Sequence, residues 1–83
     1  MNREPNNADR AAWAENALEV FTVETYCGRY PRNLERDDLE TAVGDLIADL
    51  LHYANRKGLD TDEILRSASF HFEAELAEEA QNV

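Results

Sequence analysis

The stretch "VGDLIADLLHYANRKGLD", residues 43–60, holds side chains whose types and spacing could do chemistry. Asp45, Asp49, His52 and Arg56 stand at i, i+4, i+7 and i+11. On an α-helix they fall within about 60° of one another around the axis. Two carboxylates one turn apart can share a hard divalent cation. Mg²⁺ needs only one or two carboxylates, with waters and substrate phosphates completing its shell. His52 is a poorer ligand for that ion and suits a hydrogen bond that orients Asp49. The bland alternative is the wet face of an amphipathic helix. Two details weigh against it. Asp45 and Asp49 repel, at a cost of about 0.2–0.5 kcal/mol in an isolated helix. Gly44 in mid-helix costs about 1 kcal/mol against alanine and suggests close approach by another backbone or a ligand. Glu24 points into the apolar face of the preceding helix; it lies close to Gly28, so it reads either as the frayed end of that helix or as an inward acid that joins the pair as a third candidate metal ligand.

Other groups are weaker. His71 with Glu75 one turn later reads as a structural contact, since two ligands do not make a metal site. Arg29, Arg32 and Arg36 form a basic island that could grip a phosphate, or pair with Glu35, Asp37 and Asp38. The sequence contains no P-loop, no Gly-rich nucleotide turn and no zinc-type Cys/His spacing.

The elements that must position these residues are helices. The first is expected at about 8–26, capped by Asn7 and stopped by Gly28, with Ala11, Trp13, Ala14, Ala17, Leu18 and Phe21 on one face. The second is expected at about 38–57, with Asp37 and Glu40 at capping-box spacing and Gly58 as its stop. Its apolar arc, from Leu39 and Val43 through Ile47, Leu50 and Leu51, spans nearly half the cylinder and is wide enough for two neighbours. The third is expected at about 61–80, capped by Asp60 with Glu63, and stapled by Leu59 on Ile64. Its core stripe is Ile64, Leu65, Ala68, Phe72 and Leu76. Phe70, Ala74 and Ala77 make a second apolar strip that has no home inside one chain, which points to an interface. The short turn at Gly58 implies an antiparallel hairpin of the second and third helices. Residues 1–7 read as a disordered tail, and residues 8–83 as one helical domain. The fold class is thus all-α, a three-helix chain whose bundle a second copy completes.

A chain of 83 residues buries only about 60% of its unfolded surface, so its own core is marginal and association is a common remedy. The net charge of −10 disfavours nucleic acid and anionic membranes, both polyanions. A single cysteine, Cys27, a polar start without a signal-peptide core, and no long apolar run suit a reducing cytoplasm.

The segment "LETAVGDLIADLLHYANRKGLDTDEILRSASFHFEAE", residues 39–75, resembles the second half of MazG-like all-α nucleotide pyrophosphohydrolases. The shared features are a Gly-Asp within an apolar helix, a Gly-x-Asp turn, and a helix ending in an aromatic-acid pair. The resemblance implies oligomeric four-helix units in which acids from two helices hold Mg²⁺ or Mn²⁺ on a nucleoside triphosphate, and water releases pyrophosphate. Asp45 matches the aspartate of the family's Glu-x-x-Asp motif. Its glutamate falls on Ala42, and the upstream Glu-Glu-x-x-Glu has no counterpart at Glu15, Glu19 and Glu24. The family's Asn and Lys of the last helix fall on Ser69 and His71, and one helix is missing. The piece "DLIADLLHYANRKG" is also similar to short bacterial proteins of unassigned function. The expected role is a non-catalytic, self-associating interaction or regulatory module. The alternative is a Mg²⁺-dependent nucleoside triphosphate pyrophosphohydrolase.

Overall fold

Asn6 opens the first helix with a reciprocal cap. Its Oδ1 accepts from the Asp9 backbone N–H at 2.9 Å, and Asp9 Oδ2 accepts from the Asn6 N–H at 3.1 Å. The cap therefore sits one residue earlier than expected, on Asn6 rather than Asn7, because only Asn6 has an acid three residues on to complete the box. The structure, a computed structural model, describes residues 4–81. The expected tail falls partly on residues 1–3, which lie outside the described residues. Helix α1 runs Asn7–Thr25, so Asn7 is already helical. It ends in a Schellman-type turn in which the Gly28 N–H donates to the Val23 carbonyl at 3.0 Å. Two successive residues take the left-handed conformation, Cys27 at φ 55° and Gly28 at φ 79°. Cys27 holds the position glycine usually takes, a cost of about 1–2 kcal/mol for a residue with a Cβ.

A short 3-10 turn, Pro31–Asn33, leads to helix α2, Arg36–Arg56. The Asp37 capping box does not form. The helix starts earlier, with Glu35 at the N-cap and no side-chain cap bond. Asp37 and Asp38 lie inside the first turn instead, where their charge favours the positive end of the helix dipole. At the other end Gly58, at φ 73°, follows the cap residue Lys57. The Leu59 N–H donates to the Ala54 carbonyl at 2.9 Å, closing a second Schellman turn. Helix α3, Thr61–Gln81, is capped by Asp60, whose Oδ1 accepts from the Glu63 N–H at 3.0 Å. The box is half made, because the Glu63 carboxylate pairs with Arg66.

The described residues are all-helical, with no strand. α1 contacts α2, the 3-10 turn and α3, and α2 contacts α3, as in a bundle. The packing is open. The radius of gyration is 14.8 Å, against about 12 Å for a compact chain of this length. Among the described residues the buried apolar side chains are Leu18, Ala42, Ala54 and Pro31, with Thr22 beside them. The expected faces of α1 and α3 are therefore corrected. Of the six α1 face residues only Leu18 is buried, and Trp13 is 59% exposed. α3 buries none of its stripe.

The reason lies in which side of α2 meets α1. At 100° per residue Ala42 and Asp45 lie on one edge of α2, while Val43, Ile47 and Leu50 lie on the apolar arc further round. Ala42 is fully buried, and Tyr26, just past the end of α1, hydrogen-bonds Asp45. α1 therefore packs along the edge of the arc, and Val43, Ile47 and Leu50 of the arc stay open, with Leu50 57% exposed, while Ala54 at its C-terminal end is buried.

Candidate functional site

The acidic stripe is where the end of α1 crosses α2. The Tyr26 hydroxyl donates to Asp45 Oδ2 at 2.9 Å, across the two elements. This raises the Tyr26 phenol above its ordinary pKa, first because the hydrogen bond favours the protonated form, then through slight desolvation and the negative charges of Asp45 and Asp38, with Arg29 opposing. Sequence reasoning missed Tyr26. The only signal for it was an aromatic placed just past a polar helix end, a position that says nothing about which neighbour it meets.

Asp49 and His52 are exposed, and among the described residues no hydrogen bond joins them. Glu24 is exposed, not turned inward. Its azimuth on the α1 apolar face buries nothing, because nothing covers that part of the face. Among the described residues no three His, Cys, Asp or Glu side chains converge as a metal-holding group. Asp45 and Asp49 thus remain neighbours on one helix, without Glu24. Gly44 is not a close approach within the protomer: a Cβ there meets nothing within 4 Å.

The arginines are spread along the α1–α2 connection. Arg29 Nε donates to the Tyr26 carbonyl at 3.3 Å, the Arg32 guanidinium stacks 4.6 Å from the centre of the Tyr30 ring, and Arg36 begins α2. They share no hydrogen-bond partner among the described residues. Glu75 does not serve His71. Its carboxylate pairs with Arg10 Nε at 3.2 Å, and its carbonyl accepts from Asn7 Nδ2 at 3.1 Å, so it ties α3 to the start of α1. His71 packs its ring edge-on to Phe70, with centroids 5.8 Å apart.

A wide concave feature among the described residues is apolar. A groove of about 770 Å³ runs between α1 and α2, lined by Ala11, Leu18, Leu39, Val43, Ile47 and Leu50, with Arg32 and Glu15 among its remaining walls. Phe70 is 67% exposed, and Ala74 and Ala77 are exposed beside it on α3. The chemistry this arrangement offers is apolar contact, with few polar groups to fix a small substrate.

Fold and site together define a small, open, all-α chain with an unfilled apolar groove. No protein-family model matches the chain, and neither a curated protein nor a solved structure matches it significantly. Among the described residues no helix is long and apolar enough to cross a membrane.

The Tyr26–Asp45 bond has a pH signature. A phenol whose pKa is raised by folding contributes stability that is present below the ordinary tyrosine range. That stability is lost as pH rises through the ordinary tyrosine range toward the raised folded value. Urea midpoints of the native protein are expected to fall more steeply at alkaline pH than those of Tyr26→Phe. Parallel curves for the two proteins would show that the bond contributes nothing in solution.

Proposed function

We propose that this chain is a non-catalytic interaction module that works by self-association, two copies completing one bundle. α2 and α3 form an antiparallel hairpin in this reading, and each copy covers apolar surface the other leaves open. One observation carries it. The chain exposes 7033 Å², whereas a compact monomer of this mass exposes about 5,000 Å². The surplus of about 2,000 Å² is of the size each partner of an obligate homodimer buries, about 1,000–2,500 Å². It is apolar where it matters: Val43, Ile47 and Leu50 on α2, and Phe70, Phe72 and Leu76 on α3, are all exposed. Exposed apolar surface of this extent, with Phe70 on one side of α3 and Phe72 and Leu76 on the other, marks interaction sites.

Sedimentation equilibrium on the native chain tests the reading. A dimer that persists at low micromolar concentration is expected. A monomer at all concentrations, or pyrophosphate released from a nucleoside triphosphate in Mg²⁺ or Mn²⁺, would replace it, the second outcome with the hydrolase.

A further inference from the structure

Two exposed apolar surfaces of this chain match in length, and one protomer does not join them. The first is the α1–α2 groove, whose α2 wall runs from Leu39 to Leu50. The second is the α3 ridge, from Leu65 through Ala68 and Phe72 to Leu76. Each covers eleven residue steps, about 16 Å of helix. α3 buries no residue, and Phe72 at the centre of the ridge is 62% exposed. Within the protomer α3 is tied to α1 by polar contacts at Glu75, not by this ridge in the groove.

Charge gives the pairing a direction. Glu79 lies seven residues after Phe72 and three after Leu76, so it continues the ridge and ends it in a carboxylate. Among the groove's lining residues Arg32 is the cation and Glu15 the anion, so a carboxylate is favoured beside Arg32 and disfavoured beside Glu15. Exchange by two copies around a twofold axis would fill both grooves with both ridges. Resting on the self-association reading, we propose that the occupant of the α1–α2 groove is α3 of a second copy, docked reciprocally, with Glu79 of each copy against Arg32 of the other. The docking covers Val43, Ile47 and Leu50 with Leu65, Phe72 and Leu76, and the paired ends set the direction of α3 in the groove. The Phe70 strip, on the opposite side of α3, lies outside this contact.

The test is a charge exchange followed by sedimentation equilibrium on the full chain. Arg32→Glu and Glu79→Arg are each expected to weaken the dimer on the order of tenfold, since each breaks two symmetry-related pairs and sets like charges together. The double variant re-forms both pairs reversed and is expected to return to within about threefold of the native constant. Both side chains are surface groups, so folding is not at stake. Net charge alone makes a different pattern. Arg32→Glu makes the chain more acidic and Glu79→Arg less so, hence the first would weaken the dimer and the second tighten it. That pattern, or no change in any variant, overturns the docking while self-association stands. A native chain that is monomeric throughout overturns both, and leaves the groove to a different protein.

Discussion

Ile47→Asp is expected to turn the protein into a monomer at concentrations on the order of 10 μM. Ile47 is half-exposed in the single chain and lines the groove between α1 and α2, so a change there touches little within the protomer. In the proposed pair the same position would be dry, and symmetry would place two new carboxylates in the interface. An unpaired charge buried at an interface costs about 2–5 kcal/mol, more than a hundredfold in the dissociation constant for two copies. The monomer should also lose helix signal on mild heating, since Leu18, Ala42, Ala54 and Pro31 with Thr22 are the buried set left to hold it. Asp49→Asn, on the exposed acidic stripe, is the control and should sediment as the native protein does. Equal sedimentation of Ile47→Asp and native chains would mean that the arc of α2 is not the contact.

The second large effect is expected at Ala42, where the pyrophosphohydrolase resemblance places a glutamate. Ala42 is 0% exposed. Its neighbour one turn on, Asp45, already receives the Tyr26 hydroxyl. Ala42→Glu forces a carboxylate into this contact, either buried without a partner or displacing the end of α1. A charge left unpaired in a buried site costs about 3–5 kcal/mol. A chain of this length has about 4–12 kcal/mol of stability in all, so most of the fold is expected to go, read as a collapse of the urea midpoint. Mn²⁺ makes the experiment discriminating. Recovery of the midpoint in Mn²⁺, and its absence when Asp45→Asn is added, would mean that the new glutamate and Asp45 hold a metal ion. The expected result is no recovery, because position 42 is buried while Asp45 and Asp49 are exposed, so the three carboxylates do not converge on one ion.

Legibility differed from residue to residue in ways that follow from range. Asp60 at the start of α3 and Gly58 at the end of α2 act within four residues of themselves, so their roles could be read from neighbours in the chain. Asn6 and Arg36 show the limit of such reading, because competing caps one or two residues apart differ by little. The candidate site was less legible. Asp45 and Asp49 were visible as a pair, since one turn of helix joins them. Tyr26 as the partner of Asp45, and Glu75 as the partner of Arg10, were not, since nineteen and sixty-five positions separate them.

What the sequence by itself determined is therefore local: three helices, two glycine-assisted stops, an acidic surface, and an apolar arc on α2 too wide for one neighbour. The tertiary structure alone decided how that arc is used. Periodicity specifies the azimuth of each side chain on its helix, but not which azimuth a neighbouring helix will choose. Here α1 settles on the edge at Ala42, which is fully buried, and the Tyr26–Asp45 bond spans the two elements beside it. Val43, Ile47 and Leu50 are left beside an open groove for that reason, and surface of this kind is stabilised only when something apolar covers it.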